Sequence, residues 1–423
     1  MKRALALALL GTLGVSVAAR AAFGPCYGGS ATVALPFVPQ ATSPGVGASS
    51  VERLVLGLVH ATLVEVAADG SVRPALARSW SSAALGREWT LELDPAARFH
   101  DDAPVTAAHA VRSIRRFLAG GTSAARRLAR ALEPGGVGAD EAGRVVLRFR
   151  DPTGRPLLPL ASLACAITGT RGVAAGPFIP TLAIPGSRLA FTAFGGYWRG
   201  RAFLDGLTAV AVPDDGRRHA ELAAGRVDLA MGEPGVQAPA TTLLLVLNPQ
   251  QPPFDRESAR EAVAAAMDRV ALAREYIPGG VPTLSALSPS LGGPPGPIPA
   301  GRGSSARRLA GAITLAVATD VAPAISQRIV AHLDALGLRV TATPVDPSAA
   351  RGAAAEARLF LFAPEVADAA LATLEVGALA PRGPAVVIPL AAVPVSIGAR
   401  PGLHGVRIDA VGRTSLDDAW VEP

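Results

Sequence analysis

Between residues 311 and 345 the apolar pattern changes period twice, and this constrains the fold more than any other feature. Ile313–Val317 reads as a strand. Ile325, Ile329, Val330, Leu333 and Leu336 then fall on one face of a helix that Gly337 stops, and Leu338–Thr343 reads as a second strand. Two strands joined through a helix run parallel, because a right-handed crossover and not a hairpin connects them. The chain is thereby committed to an α/β fold.

Other segments agree. GSATVAL (29–35) predicts a first strand, ended by Pro36 and Pro39. Val51, Leu54, Val55, Leu58 and Val59 predict one face of a helix. Asp69-Gly70 predicts a turn between extended segments, and EWTLEL (88–93) and RVVLRF (144–149) predict strands. Thr106 is placed to cap a helix facing inward through Ala107, Ala110, Val111, Ile114, Phe117 and Leu118. Asp255 is expected to cap a later helix ended by Pro278-Gly279-Gly280, and the Pro- and Gly-rich stretch 282–303 a long surface loop.

At 423 residues the chain exceeds one ordinary core and predicts two or three packed units. Half its residues are apolar, but only 4% are aromatic, so Ala, Val and Leu must do most of the filling. The formal charge of +6 carries little weight, since loss of Lys2, Arg3 and Arg20 with a leader halves it. The remaining arginines are dispersed and lack interleaved aromatics, which argues against a nucleic-acid partner.

Lys2-Arg3, the apolar run 4–17 and Ala19-Arg20-Ala21 match the charged region, apolar region and small-x-small cleavage site of a signal peptide over 1–21. The run is too short for a membrane anchor. In an oxidising compartment Cys26 and Cys165 could bridge or remain two unpaired thiols, and spacing leaves both readings open. Lipidation of Cys26 is disfavoured by the preceding Phe23-Gly24-Pro25.

Catalytic signatures are missing. There is no G-x-S-x-G elbow and no Walker A loop, and Lys2, the sole lysine, lies in the leader. The six histidines are far apart in sequence with no H-x-x-H pair, and His100-Asp101-Asp102 reads as a polar turn before a helix. Neither a metal nor a cofactor is indicated.

Several blocks carry a resemblance. Residues 63–117 contain Asp69-Gly70, Pro74-Ala75-Leu76-Ala77, Ser79-Trp80, Phe99-His100-Asp101 and Pro104-Val105-Thr106-Ala107 in that order. Ala175-Gly176-Pro177-Phe178, Gly196-Tyr197-Trp198-Arg199-Gly200, the run Leu222 to Leu229, and Asn248, Pro253-Phe254, Arg260, Asp268 and Arg269 follow, with a tail through Leu416-Asp417-Asp418-Ala419-Trp420. The pattern resembles the family 5 extracellular solute-binding proteins, the peptide- and nickel-binding group.

The resemblance implies a periplasmic binding protein of type II-like fold. Lobe I would combine 26–45, 167–240 and 390–423, with an inserted subdomain over 46–166, and lobe II would span 241–389. Crossing strands near Leu243–Asn248 and Val386–Val393 would form the hinge. It further implies a monomeric, exported, non-enzymatic protein that closes on a peptide or similar small solute and presents it to an ABC transporter permease. The candidate ligand residues are Phe37, Gln40, Asn248, Phe362, Glu365 and Asp368.

This chain departs from the pattern in places. Asp102 stands where glycine is usual, and His60-Ala61 where a Tyr-Glu pair is common. His109 replaces the acid that would complete a capping box. The second lobe is short between Arg358 and Val387, so the family's amine-binding acidic loop has no clear match, and Glu365 or Asp368 is left to substitute. A family-related envelope protein with a sensing, assembly or other non-transport role, and a secreted enzyme without a recognisable motif, are the alternative readings.

Overall fold

The computed structural model describes residues 24–40, 42–45, 49–67, 71–152, 155–287, 308–366, 369–379, 383–409 and 411–422. The signal-peptide segment, Asp69-Gly70, Asp368 and most of the 282–303 loop lie outside the described residues.

The crossover unit forms as its period demands. Gly311–Ala318 and Leu338–Val345 pair in parallel, with Ile313 opposite Val340 and Leu315 opposite Ala342. The helix between them, Pro323–Ala335, buries Ile325, Ile329 and Leu333 at four-residue spacing. Gly337 follows with φ +96°, and a Cβ there would lie 2.4 Å from the Leu309 carbonyl oxygen, so the turn requires glycine.

This unit is one end of a ten-stranded sheet among the described residues. Ala357–Phe362 flanks Gly311–Ala318; then come Leu229–Leu247, Ser30–Leu35, Gly206–Ala211, Arg188–Ala193 and Phe178–Ile184. Val387–Ala399 runs antiparallel to Leu229–Leu247, and Val281–Pro282 pairs with it. The two long strands join the halves of the sheet. At one end Leu229 faces Ala399, and at the other Leu245 faces Ile388, with register breaks between Met231 and Val236 and between Ala238 and Thr241. Leu243 to Leu247 are fully buried, which is why that stretch is an unbroken apolar run and not an alternating one.

Three large apolar cores result among the described residues. The first half of the sheet packs Val33, Leu35, Leu54, Phe178, Phe191 and Leu207. The second packs Leu245, Phe254, Leu315, Ile329, Phe360 and Leu390. A separate four-stranded antiparallel sheet, in the order Ala77–Ala83, Glu88–Leu93, Val145–Phe149 and Leu132–Ala139, covers a third core with Leu91, Phe99, Ile114, Phe117, Leu147 and Phe149.

Local chemistry sets the helix starts. Ser49 and Glu52 form a reciprocal capping box at helix Ser50–Val59, which buries Val51, Leu54, Val55, Leu58 and Val59. At helix Ala107–Ala119 the expected loss of a cap does not occur. His109 Nδ1 accepts the Thr106 amide at 3.2 Å, so an unprotonated imidazole nitrogen does the carboxylate's work. Asp102 holds φ +64°, the conformation for which the family pattern keeps glycine. The Asp255 helix is corrected in two respects. It starts at Glu257 after Arg256, and it ends at Ala266. Asp268 then captures the Ala271 amide at 3.0 Å and starts a second helix, Arg269–Tyr276, while Arg269 Nη1 donates to Ala264 O at 3.1 Å at the end of the first.

The Cys26–Cys165 bridge does not form. Both are free thiols. Cys26 Sγ donates to Val421 O at 3.1 Å beside the C-terminus, whereas Cys165 is fully buried in the third core, where burial pushes its thiol up to about 12.

Candidate ligand site at the seam between the two halves

Helix Ser50–Val59 carries one arginine on its otherwise apolar inner face, and Arg53 is 2% exposed. A guanidinium so buried must find acceptors. Arg53 Nη1 donates to Val411 O, in the C-terminal segment of the first half. Its Nη2 crosses the seam to Ala363 O at 3.0 Å, just beyond strand Ala357–Phe362 of the second half. Arg351 reaches the same oxygen from the second half, with Nη2 donating at 2.9 Å, and stands over the Phe362 ring at 5.2 Å. Burial, and then the charge of Arg351, pull Arg53 down to about 10.

Carboxylates surround this pair. Glu375, on helix Ala369–Ala378, accepts the Glu365 amide through both oxygens at 3.0 and 3.1 Å and lies 3.9 Å from Arg351 Nη1. Burial pushes Glu375 up to about 7, with the charge of Glu365 acting in the same sense. The Glu365 carboxylate turns the other way, into the third core's domain. It accepts Ser162 Oγ at 2.5 Å, Thr122 Oγ1 at 3.1 Å and the Ala124 amide at 3.4 Å, at the start of helix Ser123–Ala131. Asp320, at the turn after Gly311–Ala318, is pushed up to about 7 by burial, and Glu52 and Asp346 oppose its ionisation further. Its Oδ1 is sealed from solvent and has no hydrogen-bond partner among the described residues.

Arg53, Val66, Ala161, Leu163, Glu365 and Val411 are among the residues lining a cavity of about 20 Å³ at this meeting point. That is room for about one water molecule, so the seam is closed on itself in this conformation. Chemically it offers guanidinium donors from both halves and carboxyl groups that ionise near neutrality, which suits a polar or zwitterionic solute.

The residues anticipated from sequence fall into separate places. Phe362 and Glu365 are buried and reach the seam. Phe37 packs half-buried on the first core, and Gln40 is exposed. Asn248 is used in a turn, where its Oδ1 accepts the Gln250 amide at 3.1 Å and its own amide donates to Glu356 O at 2.8 Å. Asp368 lies outside the described residues. Arg53, Arg351, Glu375 and Asp320 were not anticipated. Arg53 had a signal, a lone arginine on the buried stripe of an amphipathic helix.

His60, His100 and His219 have partners elsewhere. His60 Nε2 meets Thr42 O at 2.6 Å, His100 Nε2 meets Gly176 O at 3.0 Å, and His219 Nδ1 meets Glu233 at 2.8 Å. Among the described residues no group of His, Cys, Asp and Glu could hold a metal ion.

A chain that twice crosses between two α/β halves and sets opposed charges at their seam has the architecture of a two-lobed binding protein. The family model for bacterial extracellular solute-binding proteins, family 5 (middle), matches residues 71–363, and the chain belongs to that family. Proteins of this family serve ABC importers as non-enzymatic solute binders. The curated heme-binding protein A of Haemophilus influenzae is 28% identical over 138 residues, covering 29% of this chain and 25% of that protein's length. Helicobacter pylori DppA in complex with the peptide STSA superposes with a TM-score of 0.79 at 15% identity, covering 94% of this chain and 99% of that one. Staphylococcus aureus NikA in complex with Ni(L-His)2 gives 0.74 at 14% identity, covering 93% and 100%. These likenesses establish a periplasmic binding protein type II fold. Among the described residues no helix is long and apolar enough to cross a membrane.

Proposed function

We propose that the chain is the extracytoplasmic receptor of an ABC importer and encloses a peptide, or a polar solute of similar size, by closure of its two lobes. The observation that carries this reading is that Arg53 reaches across the seam to Ala363 O, an oxygen that Arg351 holds from its own side. The Arg53 donor that spans the seam is released once the halves part, and the unpartnered Asp320 Oδ1 would accept a ligand ammonium. Closure would remove water and strengthen each such contact. The lobes follow the division set out above: 26–45, 167–240 and 390–423 against 241–389, with 46–166 inserted. The hinge lies in strands Leu229–Leu247 and Val387–Ala399. Phe37, Gln40, Asn248, Phe362, Glu365 and Asp368 are carried into this proposal from the sequence as ligand contacts, and of these Phe362 and Glu365 reach the seam. The protein acts as a periplasmic monomer after loss of its leader and delivers its solute to a membrane permease. Peptide in the DppA complex and a nickel–histidine complex in NikA favour small, chelating or zwitterionic ligands.

Native mass spectrometry of gently purified protein tests the proposal, backed by thermal-shift screening against dipeptides, tripeptides and metal–histidine complexes. A bound solute appears as added mass, and a true ligand at a hundredfold excess over Kd stabilises by about 2.7 kcal/mol. No added mass and no stabilisation by any of these would defeat it. A second reading, a family member with a sensing or assembly role and no transported ligand, is favoured by the small seam cavity and by Glu365, which already holds the halves shut against Ser162 and Thr122.

A further inference from the structure

We propose that residues 363–366 are an internal strap that holds the two lobes shut without a solute, so that the empty protein rests closed and must unlatch before anything enters. The inference concerns regulation of the same seam and rests on the two-lobe reading above. Ala363-Pro364-Glu365-Val366 follows strand Ala357–Phe362 and belongs to neither strand nor helix, yet all four residues are buried. A buried loop must find partners for its backbone away from any ladder. Here side chains supply them. Ala363 O accepts Arg53 Nη2 at 3.0 Å and Arg351 Nη2 at 2.9 Å, and the Glu365 amide donates to Glu375 at 3.0 and 3.1 Å. Pro364, between them, has no N–H to satisfy.

Three units meet on these four residues. Arg351 and Glu375 brace the strap from its own half. Arg53 holds it from helix Ser50–Val59 of the first half. The inserted domain holds it twice. Ser162 Oγ, Thr122 Oγ1 and the Ala124 amide converge on the Glu365 carboxylate at 2.5, 3.1 and 3.4 Å, and Ser162 is fully buried. The next residue, Val366, is 2% exposed and belongs to the third core, whose other described members all lie between residues 61 and 198. A polar clasp and an apolar plug thus sit side by side in sequence, both set into a domain other than their own.

These contacts remove the main obstacle to closing on nothing. Two lobes that shut empty strand polar groups that only water or a solute would satisfy. In this seam the strap itself engages Arg53, Ser162, Thr122 and the Ala124 amide, and the space left is about 20 Å³. Opening returns those groups to water, which compensates them, but it also exposes Val366, which water does not compensate. A solute therefore meets a receptive seam only in the open fraction, and its apparent affinity is lowered by that fraction.

The test is double electron–electron resonance on the whole protein without solute, native mass spectrometry having confirmed that none is carried. Spin labels go on Ser81→Cys in strand Ala77–Ala83 and Arg339→Cys in strand Leu338–Val345, both exposed, in a Cys26→Ser background; Cys165 is buried and stays unlabelled. The parent is expected to give one short distance. Glu365→Ala should add a longer one and raise the ratio of long to short at least about tenfold, the order expected for loss of one charge-assisted hydrogen bond. Ser162→Ala weakens the clasp from the other side, should act in the same direction, and decides the matter if Glu365→Ala does not fold. A parent that is mainly long without solute, or a folded Glu365→Ala (in its absence, Ser162→Ala) that keeps the parent's distances, would overturn the proposal. Because no solute is present, the outcome is separate from the importer reading. A strapped protein that binds none of the screened solutes keeps this proposal and loses that one, and an unstrapped protein that binds one does the reverse.

Discussion

Ser162 Oγ donates to Glu365 Oε1 at 2.5 Å across 203 positions of sequence, joining the inserted four-stranded domain to the second half of the main sheet. Thr122 Oγ1 and the Ala124 amide converge on the same carboxylate, and neither residue belongs to the half that carries Glu365. The contact is therefore a clasp between units. Ser162→Ala, Glu365→Ala and the double variant, compared by denaturant unfolding, should show a coupling energy of about 1–3 kcal/mol, as for contacting polar partners that are both buried. Additive losses would show that the clasp contributes nothing.

Glu375 and Asp320 give stability a pH dependence of definite sign. Each is raised to about 7 from ordinary values of 4.5 and 3.8, with burial as the chief cause. In the folded protein they keep their protons through a range where the unfolded chain has lost them. Their contribution is thus full below about pH 4, declines as pH rises towards 7 and is gone above it. Glu375→Gln should flatten that decline, by an amount on the order of 3 kcal/mol between pH 4 and 7. Urea unfolding at stepped pH measures it, and an unchanged slope in the variant would contradict the assignment.

His60 works in the opposite direction. Burial pulls its imidazole down to about 4 from 6.5, so the folded state holds it neutral. Its stabilising contribution is complete above 6.5 and is lost as pH falls from 6.5 towards 4. NMR of the ring protons should find it uncharged at pH 5.5. A midpoint near 6.5 would mean that the ring is not buried beside Thr42 O as described.

Gly176 lies against the backbone of the helix that carries Arg53. A Cβ at this position would stand 2.4 Å from both Val59 C and Val59 O. Neither atom can give way, so Gly176→Ala should destabilise by about 2 kcal/mol or more through overpacking. A melting temperature within a degree of the parent would count against this packing.

The two thiols should differ in reactivity. Cys165 is fully buried and its thiol is pushed up to about 12, while Cys26 is only half-buried. A thiol reagent should titrate one group in the native protein and two in guanidinium chloride. Loss of two protons' mass on purification would instead signal a bridge.

The fold was largely legible in the sequence, and the site only in part. Alternation and four-residue spacing located the crossover unit and helices Ser50–Val59 and Ala107–Ala119, because each buries one regular stripe. The break at Met267 was missed, since Ala262, Ala266 and Val270 continue the helical period through it, and the Asp268 cap acts on the backbone without disturbing that pattern. The domain boundaries came from resemblance and not from periodicity. At the seam, Phe362 and Glu365 were found because they stand where the family's binding loop would run. Arg351 and Asp320 sit in segments whose local patterns look like ordinary solvated surface, whereas Glu375, the one charge in the apolar run of helix Ala369–Ala378, carried a signal like that of Arg53. Only the approach of the two halves buries them, and sequence spacing does not encode that approach.

The long strand Leu229–Leu247 has a consequence for how the molecule comes into being. Its partner, Val387–Ala399, leaves the ribosome only after the whole of 248–386 has been made. Until then Leu243 to Leu247 lack a neighbour on that side, and loop-closure entropy opposes the pairing. A strand that waits for so distant a partner keeps this part of the polypeptide threadable while the second half is made, and fragments truncated before residue 387 should be insoluble and not half-active.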